Sequence, residues 1–151
     1  MRRPMKIITI AAAGLALAAV GAPSIMAHDG ATGVVKERMD NFKASQTNLK
    51  AIAQLIKLEE LDQIAERANS MREWGVAIPA AFPEGSGGGV SDAKPAIWEN
   101  FTDFSALASS HVDALDGLIA AAEAGDASAV KASFQAVAGT CKACHMKYRQ
   151  F

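Results

Sequence analysis

The strongest constraint on the fold is a set of four apolar stripes that repeat with the period of an α-helix. In the last stripe, apolar and sulfur-bearing residues follow one another at intervals of 4, 3, 4, 3 and 4 positions: Val130, Phe134, Val137, Cys141, Cys144 and Tyr148. This spacing places side chains on one face of a helix. The other stripes run from Val35 to Ile56, from Leu61 to Met71 and from Ile97 to Ala122. Because no stretch alternates as a strand does, the sequence predicts an all-α protein.

Three breaks separate the stripes, and their lengths predict how the helices are connected. The first two helices meet near Leu58 with little punctuation, which indicates a tight turn. A long segment from Pro79 to Pro95 follows the second helix, and its Gly and Pro content predicts a flexible connector. Gly125 is expected to stop the third helix and Asp126 to cap the fourth. Two short connections and one long one predict an antiparallel four-helix bundle with up-down-up-down topology.

The first 27 residues have the layout of a secretory signal peptide. Arg2, Arg3 and Lys6 precede an apolar run from Ile7 to Ala22, and a small residue, Ala27, stands before a polar stretch. The run of 16 residues is shorter than the ~20 that cross a bilayer. We therefore expect cleavage after Ala27, export to the periplasm, a single domain over residues 28–151 and no membrane span in the mature chain.

The charge balance argues against a nucleic-acid-binding protein. The 151-residue chain has a formal net charge of −1, and its basic and acidic residues are mixed. The predicted leader contains three of the 15 basic residues and none of the 16 acidic ones, so the remainder carries a net charge of −4. We therefore expect no nucleic acid among its partners.

The two cysteines lie in one short motif, Cys141-Lys142-Ala143-Cys144-His145, which is the C-x-x-C-H signature of covalent haem c attachment. On a helix, thiols at positions i and i+3 point the same way and can form thioethers with the two vinyl groups of one porphyrin, while His145 reaches the iron. A thioredoxin-like site would need a βαβ context, and structural zinc would need four ligands. The motif therefore predicts one covalently bound haem c, with His145 as axial ligand.

With this motif on the last of four helices, the chain resembles the cytochrome c′ family of class II c-type cytochromes. Val35-Lys36-Glu37-Arg38 resembles the start of the family's first helix, and the stretches from Ala81 to Gly89 and from Ala93 to Trp98 resemble its long inter-helix segment. The resemblance implies that Arg38 pairs with a haem propionate, that Arg149 lies on the proximal side of the haem, and that the protein can form a homodimer.

The resemblance also identifies Phe42, four residues after Arg38, as the residue on the distal side of the haem. Members with Met at this place have six-coordinate iron, whereas a phenyl ring cannot coordinate. Phe42 therefore implies five-coordinate iron, one-electron transfer, and nitric oxide or carbon monoxide as distal ligands. The redox partner proteins are not identified by any residue.

Two alternatives to this function remain open from the sequence. Met39 or His111 could complete the iron coordination and give a low-spin protein that only carries electrons. The protein could instead be a haem enzyme that detoxifies nitric oxide, but Phe42 supplies no distal acid–base group. We therefore expect a carrier and gas-binding protein, not an enzyme.

Overall fold

The computed structural model describes residues 30–151, so the predicted signal peptide and its cleavage site lie outside the described residues. The helices are α1 (Gly33–Leu58), α2 (Ile64–Ala77), α3 (Ala96–Glu99), α4 (Phe101–Glu123) and α5 (Ala127–Tyr148), with a 3₁₀ turn at Pro79–Ala81. Within this part of the chain, strand-like pairing is limited to one isolated bridge between Ala93 and Arg149. The all-α prediction is confirmed.

Local capping chemistry sets the ends of the two short connections. Glu59 adopts a left-handed conformation with φ of 60°, and the N–H of Glu60 donates to the carbonyl of Leu55, which closes α1. Gly125, with φ of 67°, reverses the chain after α4. The Asp126 carboxylate then accepts hydrogen bonds from the first N–H groups of α5. Both predicted turns are confirmed.

Four long helices form the bundle. Helix α4 packs against α2 and α5, and α1 packs against α2 and, less extensively, against α5. One apolar core fills the end of the bundle near the two short turns; its fully buried members are Ile52, Ile64, Ala68, Leu115, Leu118, Val130 and Val137. A second cluster, rich in aromatic residues, lies toward the long connector.

The third stripe does not form one continuous helix. Asn100 leaves the helical region, with φ of −130° and ψ of 44°, and separates the single turn of α3 from α4. Phe101, expected in the stripe, is consequently 40% exposed. The apolar spacing could not reveal this break because the stripe continues across it.

The long connector makes specific contacts with the bundle. The indole Nε1 of Trp98 donates to the backbone oxygens of Phe82 and Pro83, each at 3.0 Å. These bonds agree with a structural role for Trp98 in packing the connector onto the bundle, so the segment is less flexible than its Gly and Pro content alone predicts. Among residues 30–151, no helix is long and apolar enough to cross a bilayer.

Candidate functional site

The C-x-x-C-H motif lies in the last two turns of α5. Cys141 and Cys144 form no disulfide, and both are half-buried. His145 directly follows Cys144 and is also half-buried. Helical spacing puts the two sulfurs and the imidazole on neighbouring positions of one helix face. The structure thus brings together the three residues that the motif predicted.

Burial governs the protonation of these three groups. It raises the pKa of the Cys141 thiol, and together with the nearby charges of Cys141 and Asp103 it raises the pKa of Cys144 to about 11. Burial, followed by the positive charge of Arg149, lowers the pKa of His145. Before a haem is attached, the motif therefore presents at neutral pH two neutral thiols and a neutral imidazole whose lone pair can bind a metal.

A cluster of aromatic side chains contacts this end of α5, and we call it the aromatic cluster. Its buried members are Trp74, Ile78, Phe82, Ile97, Phe104, Ala108 and Tyr148. Cys144 packs against it from α5, and Phe42 packs against it from α1. The Phe42 ring makes edge contacts with Trp74 and Phe82, with ring centroids 5.1 and 6.3 Å apart. Phe42 and Cys144 therefore share one apolar environment although they belong to different helices.

Arg38 is the one polar or charged residue that is buried in the described part of the chain. Its Nη1 donates to Ser86 Oγ at 2.8 Å and to the Ala81 carbonyl at 3.4 Å. Its Nη2 donates to the Ser86 carbonyl and to Ser91 Oγ, each at 2.6 Å. The guanidinium also lies over the Phe82 ring, 4.4 Å from its centroid. Arg38 thereby ties the connector to α1 one turn before Phe42.

These contacts bear on the predicted role of Arg38 toward a propionate. All four N–H groups of Nη1 and Nη2 have neutral acceptors, and within residues 30–151 no carboxylate forms an ion pair with Arg38. Burial lowers the pKa of this guanidinium. A buried cation without a counter-charge is unfavourable, so the surroundings of Arg38 would favour an anion.

Arg149 caps the C-terminus of α5 and is exposed. Its backbone N–H donates to the His145 carbonyl at 3.0 Å, and its guanidinium pairs with Asp92 at 3.0 Å. Arg149 is therefore held close to His145 by backbone and side chain together. Its predicted position on the proximal side of a haem stays a prediction.

The two alternative ligands have different surroundings. Met39 is half-buried on α1. His111 is half-buried on α4, and its Nδ1 lies 2.7 Å from Thr140 Oγ1. The same Thr140 hydroxyl lies 2.7 Å from the Val137 carbonyl, so it connects His111 to the backbone of α5. Burial, followed by the charge of His145, lowers the pKa of His111.

Comparisons with known proteins agree with this geometry. The family described as Cytochrome C' matches residues 33–149. Cytochrome c' of Rhodospirillum rubrum is 36% identical over 138 residues, which is 89% of this chain and 93% of that protein. The chain belongs to the cytochrome c′ family.

Two solved structures from this family have the same fold. Cytochrome c' from Thermochromatium tepidum superposes with a TM-score of 0.72 and 31% identity, over 78% of this chain and 95% of that one. The nitric oxide complex of a leucine-to-alanine variant of cytochrome c prime from Alcaligenes xylosoxidans gives a TM-score of 0.71 and 30% identity, over 78% and 94%. The predicted cytochrome c′ resemblance and four-helix bundle are confirmed.

As a member of the cytochrome c′ family, this protein carries covalently attached haem c, and the predicted cofactor is confirmed. The residues present fit the group. Two cysteine side chains that form no disulfide and an imidazole share one helix, and an aromatic cluster offers an apolar wall. The buried charge of Arg38, which has no counter-charge among residues 30–151, and the unpartnered Trp74 indole N–H suit the propionate carboxylates of a haem.

Trp74 is the site residue that the sequence reasoning missed. The second stripe weakens at Trp74 and Gly75 when only aliphatic residues are counted, yet both residues are buried. Trp74 follows Met71 by three positions, and Ile78 follows Trp74 by four. This helical spacing was the available signal that the buried face of α2 extends to the aromatic cluster.

Proposed function

We propose that haem c in this protein is attached through thioethers to Cys141 and Cys144 and that His145 is the axial ligand of its iron. The supporting geometry is local, since all three residues lie within two turns of α5. The lowered pKa of His145 favours the neutral imidazole that an iron ligand requires. When bound, the haem supplies an iron that can exchange a single electron and hold a diatomic gas.

The observation that carries the gas-binding proposal is the position of Phe42. Its ring packs on the same aromatic cluster as Cys144, and its neighbours Trp74 and Phe82 are aromatic as well. None of these three side chains has a lone pair suited to iron. We infer a five-coordinate iron that binds nitric oxide or carbon monoxide on the Phe42 side. Structures of cytochrome c prime from Alcaligenes xylosoxidans contain nitric oxide or carbon monoxide.

We further propose binding and one-electron transfer rather than catalysis. A haem enzyme that cleaves or reduces its ligand relies on a group that gives or takes a proton beside the iron. The aromatic neighbours of Phe42 do not titrate near neutral pH. Arg38 would pair with a haem propionate, and Arg149 would lie on the proximal side of the haem.

The proposed setting of this function is the periplasm, with a homodimer as the assembly. Export follows from the predicted leader, and covalent haem suits an exported protein. One structural neighbour is described as a cytochrome c' with ligand-controlled dimer dissociation. In this chain, Leu58 on α1 and Val76 on α2 are exposed apolar residues. Size-exclusion chromatography with and without carbon monoxide tests the dimer.

An absorption spectrum of the reduced protein tests the five-coordinate proposal. We expect a broad high-spin spectrum that changes when carbon monoxide is added. Phe42→Met should convert the iron to a low-spin form, because the thioether sulfur can coordinate. Phe134→Met is the matched control, since Phe134 packs on the other core cluster, and its spectrum should equal the wild type.

A sharp low-spin spectrum that ignores carbon monoxide would refute this proposal. Met39→Leu and His111→Leu would then identify the sixth ligand, because only the variant that lacks it would gain a carbon monoxide response. Covalent attachment is tested on a denaturing gel stained for haem. Cys141→Ala and Cys144→Ala should each weaken the stain, and full retention in both variants would contradict the assigned thioethers.

A further inference from the structure

The indole nitrogen of Trp74 is a buried donor without a partner. The residue is 9% exposed, and its Nε1 has no hydrogen-bond acceptor among residues 30–151. The other tryptophan behaves differently, since Nε1 of Trp98 donates to two backbone oxygens at 3.0 Å. Buried polar groups are nearly always hydrogen-bonded because an unpaired one costs free energy. The Trp74 N–H therefore calls for an acceptor from outside the polypeptide.

The position of Trp74 connects this donor to the haem site. Its ring stands nearly perpendicular to the Phe42 ring, with centroids 5.1 Å apart and an interplanar angle of 89°. Phe42 also contacts Phe82, and both are hydrocarbon side chains that accept no conventional hydrogen bond. Cys144, a proposed attachment point, packs on the same aromatic cluster. A haem group bound there would bring oxygen acceptors into the region of the Trp74 indole.

The aromatic cluster also lies beside a positive charge, which attracts negatively polarised oxygen atoms. The buried Arg38 guanidinium lies over the Phe82 ring, 4.4 Å from its centroid. Phe82 is the other aromatic neighbour of Phe42. The Trp74 indole, with its N–H donor, therefore lies on one neighbouring position of Phe42, and a ring covered by the Arg38 cation lies on another. Such a pair of groups is complementary to an oxygen atom that carries negative charge.

We propose that the Trp74 indole donates a hydrogen bond from Nε1 to an oxygen acceptor of the haem group. This inference rests on the proposed function and deepens it. The acceptor is either a propionate carboxylate or the oxygen of the diatomic ligand on the Phe42 side. In the second case, the pocket is not purely apolar, and it holds a polarised ligand more tightly than hydrocarbon side chains alone would.

Trp74→Phe removes the indole N–H and keeps an aromatic ring. Trp98→Phe is the matched control, because it makes the same change at a tryptophan whose N–H already has acceptors inside the chain. The first readout is the C–O stretching frequency of the reduced carbon monoxide complex. If Trp74 donates to the ligand, Trp74→Phe raises this frequency and accelerates carbon monoxide release roughly tenfold. If Trp74 donates to a propionate, the frequency stays unchanged and the pH dependence of the midpoint potential shifts. Trp98→Phe should change neither readout.

An unchanged frequency together with an unchanged pH profile in a folded Trp74→Phe protein overturns the inference. Should that variant fail to fold, Trp74→Leu provides an apolar side chain that carries no hydrogen-bond donor. The wild-type protein gives an independent measurement, the proton shift of the Trp74 indole in the diamagnetic carbon monoxide complex, and a shift typical of a free N–H overturns the proposal. A wild-type protein that binds no carbon monoxide refutes the proposed function instead. In that case the pH dependence of the midpoint potential still decides whether Trp74 donates to a propionate.

Discussion

Replacing Arg38 with Met tests how much the buried guanidinium contributes to the fold. The Met side chain keeps an unbranched stem on α1 and loses three short hydrogen bonds, of 2.6, 2.6 and 2.8 Å, to Ser86 and Ser91. A hydrogen bond to a charged group contributes about 1.5–3 kcal/mol. The desolvation of a buried cation offsets several kcal/mol of that total. We therefore expect the free energy of unfolding to fall by about 3 kcal/mol.

The assay is urea unfolding of the haem-loaded protein, followed by circular dichroism. With a denaturant slope of roughly 1.5–3 kcal/mol per molar, the midpoint should fall by about 1–2 M. Arg72→Met is the matched control, because Arg72 forms an exposed ion pair with Asp116 at 2.5 Å. Exposed pairs contribute little, so its midpoint should barely move. Equal midpoints for the two variants would refute the claim that Arg38 anchors the connector.

Two further predictions concern charge and packing. The Asp103 carboxylate accepts hydrogen bonds from Lys147 and Tyr148, which hold its pKa below the usual range, so its stabilising effect is present above about pH 4 and is lost as the pH falls lower. Asp103→Asn should therefore lower the urea midpoint at pH 6 more than at pH 3, and a pH-independent difference would contradict the assignment. In the connector, a Cβ at Gly87 would lie 2.7 Å from the Trp98 ring, so Gly87→Ala should lower the free energy of unfolding by about 1–3 kcal/mol. Gly117 lies within α4, and a Cβ there meets only Ser133 Oγ of α5 at 3.9 Å, so Gly117→Ala should raise stability by about 0.5–1 kcal/mol in the same experiment. A Gly87→Ala protein as stable as the wild type would show that Trp98 can move.

The features that could be predicted from the sequence are those that depend on neighbours in the chain. The end of α4 at Gly125 follows from a backbone conformation that favours glycine, and the start of α5 follows from the capping side chain of Asp126. The haem motif follows from helical spacing on α5, because three residues within two turns keep their mutual geometry whatever the rest of the chain does. The bundle follows from the number of stripes and the lengths of their connections.

The features that could not be predicted depend on which turns of different helices face each other. The acceptors of Arg38 lie 43 to 53 residues away, on a connector whose path its composition does not specify. The break at Asn100 is invisible to apolar spacing because Asn is compatible with a helix as well as with its end. Trp74 acquires its importance from contact with Phe42 on another helix.

Attachment of the haem and control of its iron ligands depend on different parts of the fold. The groups that would attach the haem covalently and ligate its iron lie on α5 alone, so their geometry survives changes elsewhere in the bundle. The groups around Phe42 come from α1, α2 and the connector, and the Arg38 bonds fix one of them, Phe82, against the others. Substitutions at Arg38 or Trp74 should therefore alter stability, ligand release or potential while leaving haem on the polypeptide, whereas Cys141→Ala or Cys144→Ala should weaken its covalent retention. A variant of the first kind that lost its haem from a denaturing gel would contradict this separation, because thioether bonds do not depend on the packing around Phe42.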